Sequence, residues 1–181
     1  TEKAEWLRTH LERHGGTSAV GAGVIVPLMG RLLAIVSGAG RSVRIENQQL
    51  IVPGPAEQVP IKLTAYLKTL ARDRLAAASD YYAARLGRDY SRLTLRDTRS
   101  RWGSCSAQGA LSYSWRLIMA PPEVLDYVAA HEVAHLAQMN HSQVFWDQVL
   151  AIHGPYKEQR AWLRSDGTAL HRFRFETLAS D

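Results

Sequence analysis

The spacing of apolar positions changes several times along the chain, and each change predicts a new element. Residues 1–14 mix charge with Trp6, Leu7 and Leu11, a weak helical start. Between Gly15 and Pro55 the apolar runs GVIVPL, RLLAIV, SVRI and QLIV are separated by Gly, Ser and Asn, which predicts three or four short strands in a small sheet layer. From 56 to 86 there is no glycine. Leu63, Leu67, Leu70, Ala78, Tyr82 and Leu86 there share one helical face, and Lys62, Lys68, Arg72 and Asp80 take the other. This predicts a long amphipathic helix stopped by Gly87.

Alternation then returns with RLTLR and, more strongly, with ALSYSWRL. The second run puts Leu111, Tyr113, Trp115 and Leu117 on one face and Ser112, Ser114 and Arg116 on the other. The intervening RWGSCSAQG supplies a short run and a glycine-containing turn, so a β-hairpin should feed directly into the next helix. That helix starts at Pro121-Pro122, carries Glu123 and Asp126 where the helix dipole favours acids, and should reach about Met139. SQVFWDQVLAIHG predicts another helix, opened by Ser142 as N-cap and closed by Gly154, and PYKEQRAWLRSDG a last short one. The tail from Thr168 carries no readable pattern. The fold class expected is α+β: a small N-terminal β layer, a long helix, a hairpin, a histidine-bearing helix and C-terminal helices. A length of 181 residues suits one domain over 1–181, with a β-rich part at 1–55 and a helix, hairpin and metal-binding core at 56–165.

Composition narrows the class without changing that picture. Hydrophobic residues make up 46% and charged residues 22%, as in ordinary globular proteins. The uncharged stretch Thr17 to Gly30 is 14 residues and holds three glycines and a proline, whereas a membrane-spanning helix needs about 20 apolar residues. No membrane partner is expected. Cys105 is the only cysteine, so an internal disulfide is excluded and a reducing, cytoplasmic setting is the default.

Formal net charge is +5. Arg85, Arg88, Arg92, Arg96, Arg99 and Arg101 fall within 17 residues, diluted by Asp89 and Asp97. Such a mixed stretch reads first as a solvated face carrying salt bridges and second as a surface for nucleic-acid phosphates. Nucleic acid is an admissible partner rather than a required one.

Candidate chemistry concentrates in HEVAHLAQMNH, residues 131–141. On a helix, positions i and i+4 lie one turn apart on one face, so His131 and His135 can aim two imidazoles at a single point. They continue the stripe of Val124 and Val128, which faces the protein interior. Glu132 is offset by about 100° from His131, beside the metal line, where a carboxylate can take a proton without occupying a coordination site. His141 can be a third ligand only if the chain breaks and folds back, for which Asn140 supplies a residue tolerant of the left-handed conformation. Three protein ligands plus water describe a catalytic zinc, Zn2+ being the metal that suits imidazoles; a structural zinc would want a fourth ligand, with Cys105 and His153 of suitable type. Spacing alone would suggest the metzincins, but Gln138 stands at their glycine position and no methionine follows Met139.

The stretch RWGSCSAQGALSYSWRLIMAPPEVLDYVAAHEVAHLAQMNHSQVFW, with PY and WL following, resembles the YgjP-like metallopeptidase domain, related to the SprT and WLM zincins. One departure is Ser114 before Trp115, where that family more often has Asn. The resemblance implies a small zincin fold with zinc on His131, His135 and His141 and Glu132 as catalytic base, acting on a peptide or protein substrate. Related families act on proteins attached to DNA, which would give the Arg-rich stretch a use. By the same resemblance, the run Arg101, Trp102, Gly103, Ser104 is the candidate edge strand for extended substrate. Tyr113, Tyr156, Arg99 and Arg101 are of suitable type as second oxyanion donors. The competing reading is a DNA-associated module in which zinc is structural and the Arg-rich stretch at 85–101 binds nucleic acid.

Overall fold

A computed structural model describes residues 16–176; the helical start expected at 1–14 lies outside them. The N-terminal layer is a four-stranded sheet of β2 (Ile25–Leu28), β3 (Arg31–Gly38), β4 (Arg44–Glu46) and β5 (Gln49–Pro53), in the order β2-β3-β5-β4. β2 and β3 are antiparallel, β3 and β5 parallel, and β4 turns back on β5. Asn47 and Gln48 make that last turn with φ of 48° and 61°, the pair of positive values that a tight two-residue hairpin requires. Val26, Leu28, Leu33, Ile35, Leu50 and Val52 give the sheet a buried face.

A short 3-10 turn, Ala56–Gln58, leads into α1 (Val59–Leu86). The buried stripe of this 28-residue helix runs Leu63, Leu67, Ala71, Leu75, Ser79, Tyr82 and Ala83, and is narrower than the sequence suggested because Leu70, Ala78 and Leu86 are only half-buried. Gly87 ends it in the left-handed conformation, φ 68° and ψ 36°.

The second sheet has β6 (Arg92–Arg96), β7 (Gly103–Cys105) and β8 (Ala110–Ser114), in the order β6-β8-β7. β7 and β8 form the hairpin, while β6 joins the far side of β8 in parallel. β7 is thereby an edge strand. The hairpin does not feed directly into the next helix: β8 stops at Ser114, and Trp115–Met119 wind into a 3-10 turn, capped by Ser114 Oγ accepting from Arg116 N at 3.3 Å. Ser114 and Arg116, expected on the polar face, are both buried. Arg116 is satisfied there by Asp97 (2.6 and 3.1 Å) and by the carbonyls of Leu170 and Phe173 (3.0 and 2.9 Å).

Three helices complete the fold: α2 (Pro122–Ala134), α3 (Gln143–His153) and α4 (Lys157–Ser165). Beyond them, where the sequence showed no pattern, Gly167–Arg172 form a 3-10 turn and Phe173–Arg174 form β9. β9 pairs in parallel with β1 (Ser18–Ala19), so the two ends of the described region lie side by side. Among the described residues no helix is long and apolar enough to cross a membrane.

Candidate metal centre

α2 is buried almost all round: Val124, Leu125, Tyr127, Val128, Ala129, Ala130, Glu132, Val133 and Ala134 are inaccessible. A helix buried over most of its surface belongs in a protein's centre, and α2 is packed by α1, β7, α3 and α4, with Glu123 and Asp126 of its first turns left toward solvent. Its alanines keep the approach close.

The helix ends at Ala134, five residues before the expected Met139. Leu136 N and Ala137 N bond back three residues, to Val133 O (2.9 Å) and Ala134 O (3.1 Å), tightening the last turn. His135 holds the break in place, because its Nδ1 lies 2.9 Å from Gln138 O. A carbonyl can only accept, so Nδ1 carries the proton and Nε2 keeps its lone pair. Asn140 is not left-handed, as positive φ among non-glycine residues is confined to Met29, Asn47 and Gln48 of the described chain. Its Oδ1 instead accepts from Ser142 N at 3.2 Å, and this side-chain turn redirects the chain into α3. Ser142 caps α3 through its backbone alone.

The fold-back brings His141 to the α2 pair. One ring nitrogen from each of His131, His135 and His141 lies within 4.8 Å of the others, and the Nε2 atoms of His131 and His141 are 3.1 Å apart. Two nitrogens on one tetrahedral zinc, each bonded at about 2.05 Å, stand about 3.3 Å apart. The donor set fits a divalent cation. His131 Nδ1 has the Tyr127 hydroxyl at 3.4 Å, a long contact that leaves its Nε2 for the cluster. Among the described residues no fourth ligand joins the three. Cys105 is bonded to Ser106 O at 3.4 Å, and His153 faces Asp126 at 3.8 Å.

Aromatic rings enclose the cluster. Phe145 stacks on His135 (4.4 Å between centroids), Trp146 on His141 (5.7 Å), and Tyr156 on both Trp146 (5.1 Å) and Tyr127 (5.9 Å). Burial, then the neighbouring His135, His141 and Arg160, lowers the pKa of His131 to about 3. Burial lowers that of His135 as well. Both imidazoles are therefore neutral and able to coordinate at neutral pH. His141 is exposed, which leaves one side of the cluster open to solvent.

Glu132, 6% exposed, packs against Gly103 of β7. Burial pushes its carboxyl up to about 8, with the Arg101 guanidinium pulling the other way. Gly103 makes room for it: a Cβ there would meet Glu132 Cγ at 2.6 Å.

The remaining candidates separate. Gly103 and Ser104 lie on edge strand β7, with exposed Arg101 before it. Trp102 is turned toward the C-terminal segment, stacked on His171 at 5.1 Å and packed against Gly167. Tyr156 belongs to the aromatic wall. Tyr113 is 1% exposed, its hydroxyl committed to Ser79 (3.0 Å) and Ala129 O (3.5 Å), so it has no surface with which to meet a substrate. Arg99 lines a different groove. Sequence reasoning missed Tyr127, Phe145 and Trp146, although VFW just after His141 was a visible aromatic signal.

A family model described as YgjP-like, metallopeptidase domain, matches residues 1–166. The chain belongs to that family. As a YgjP-like metallopeptidase domain it acts on peptide bonds and calls for a divalent metal, which the three histidines could hold. The crystal structure of the metallopeptidase zymogen of Pyrococcus abyssi abylysin is similar at 22% identity and a TM-score of 0.42, covering 52% of this chain and 94% of that one. No curated protein matches the chain.

Proposed function

We propose that this YgjP-like domain is a zinc-dependent metallopeptidase acting as one catalytic unit, with His131, His135 and His141 as zinc ligands and Glu132 as the catalytic base. One observation carries the reading: three imidazoles converge on a point open to solvent, with a buried glutamate next to them in sequence and an edge strand packed against it. Zinc, when bound, would supply a Lewis acid that polarises a peptide carbonyl and acidifies water.

The chain's own groups do the rest. Glu132 takes the proton of the attacking water and returns it to the amine nitrogen as the C–N bond breaks. The aromatic wall of Phe145, Trp146 and Tyr156 excludes water from one side, and burial keeps the imidazoles of His131 and His135 unprotonated. Backbone groups on the free edge of β7 align an extended substrate with little sequence choice, and Arg101, whose guanidinium acts on Glu132, is the candidate to steady the oxyanion. A cytoplasmic setting fits a chain with one cysteine.

The competing module with a structural zinc loses support, because Cys105 and His153, the residues of suitable type for a fourth ligand, are engaged elsewhere. The decisive experiment compares wild type with Glu132→Gln on an unfolded protein substrate such as casein, with bound metal measured on both. Equal metal content with a loss of cleavage of about a thousandfold is expected. Undiminished cleavage by the variant would remove Glu132 from the reaction, and undiminished zinc content in His141→Ala would remove the three-imidazole site.

A further inference from the structure

Most of the arginine-rich stretch takes no part in the metal centre, nor does it form the ion pairs that its composition suggested. Among the described residues, Asp97 is paired with the buried Arg116, and none of Arg85, Arg88, Arg92, Arg96, Arg99 and Arg101 forms an ion pair. Two adjoining grooves collect part of this charge. One, of about 350 Å³, is lined by Lys68, Thr69 and Arg72 of α1, by Leu95, Arg96 and Asp97, and by Trp115. The other, of about 180 Å³, shares Lys68, Asp97 and Trp115 and adds Arg99 and Arg174.

Lys68, Arg72, Arg96, Arg99 and Arg174 are all exposed and without an ion pair among the described residues. Against these five cations the lining offers only Asp97 and Glu176. The fork of Arg116 holds both Asp97 oxygens, at 2.6 and 3.1 Å, which cancels that charge inside the groove and leaves Glu176 alone at one end.

We propose that this double groove binds the sugar-phosphate backbone of a single-stranded nucleic acid, independently of the metal centre. Four of the five cations are guanidiniums, whose planar forks match phosphate oxygens. They come from a helix, a strand end, a loop and the C-terminal segment, so they follow a track rather than a single helix face. Trp115, the aromatic ring shared by both grooves, is 1% exposed and offers no stacking platform, so the groove reads charge along a chain and not base identity. The large exposed apolar side chains, Ile25, Ile61, Tyr81, Met139, Val144 and Leu150, all lie outside the lining. A membrane surface would want such groups beside the cations.

The test is fluorescence anisotropy of a labelled, mixed-sequence 20-nucleotide DNA strand, titrated with the full chain across a range of salt. Five phosphate contacts predict a slope of log K against log salt of about −3.5, with equal affinity for a shuffled sequence. Arg72→Glu with Arg96→Glu should bring the slope to about −2 and weaken binding at least tenfold at low salt. Arg31→Glu with Arg41→Glu, the same charge change at exposed positions outside the lining, should leave the slope where it was. Equal losses in both double variants would mean that net charge alone attracts the strand, and would overturn the proposal. So would competition by poly-glutamate as effective, charge for charge, as unlabelled DNA, since the groove would then accept any acidic chain.

Discussion

Gly103 and Glu132 fit against each other so closely that a methyl group on Gly103 would stand 2.6 Å from Glu132 Cγ and 2.8 Å from its Oε1. The obstacle is the buried carboxylate itself, not the tip of a mobile side chain. Gly103→Ala should therefore push Glu132 out of place and lower the rate of peptide cleavage by about a hundredfold, while bound metal and melting temperature change little. Cleavage within twofold of wild type would show that the fit is incidental.

Tyr127 is the hydroxyl beside His131 Nδ1. Groups behind a metal ligand fix its ring orientation and tautomer, and losing one costs roughly 10- to 100-fold in metal affinity. Tyr127→Phe keeps the ring that stacks on Tyr156 and removes only the hydroxyl. A zinc dissociation constant at least tenfold weaker is expected from competition with a chromogenic chelator, and an unchanged constant would leave the 3.4 Å contact without function.

Much of this arrangement could be read from the sequence, and the failures have definite causes. His131, Glu132 and His135 were legible because helical geometry alone fixes their relative directions. The end of α2 was misjudged because the signal that stops it is a bond from the His135 ring to the Gln138 carbonyl, which leaves no mark in residue type. Arg116 looked like a surface residue because its partners lie 19 to 57 positions away along the chain. Tyr113 is buried on the apolar face that alternation gave it, while Ser114 shows the limit of that pattern, which cannot say that the polar face is covered too. β9, at two residues, is too short to carry any period.

Metal removal should loosen the protein. The three imidazoles come from two sides of a chain break, so an ion bound by all of them stabilises the folded state alone. At free zinc a hundredfold above its dissociation constant the gain is about 2.7 kcal/mol, or roughly 5–10 °C in melting temperature for a chain of this size. Differential scanning fluorimetry before and after chelation measures it, and coincident curves would argue that the cluster holds no ion.

Arg116→Ala should cost about 2–4 kcal/mol, since it removes charge-assisted bonds to Asp97 and leaves the Leu170 and Phe173 carbonyls without their donor. Urea unfolding gives the value, and faster proteolysis within 167–176 should accompany it.

Cys105 tests the local electrostatics. Burial, with the Glu132 charge adding to it, pushes the thiol up from 9.0 to about 11. A raised pKa keeps the acid protonated, so at pH 8 the metal-free protein should present about a hundredfold less thiolate than a thiol at 9.0 and react that much more slowly with iodoacetamide. The rate should climb until pH passes about 11, and a plateau near pH 9 would contradict the shift.

The parallel pairing of β1 with β9 also gives the molecule a mechanical axis. Tension applied through Ser18 and Arg174 pulls on opposite ends of two strands that run side by side in the same direction, with Val20 N held to Arg174 O at 2.8 Å. The ladder is then loaded in shear, every bond at once, rather than unzipped from one end. Stretched in that direction, the fold should hold until the pair slides as a unit and only then expose the helices behind it.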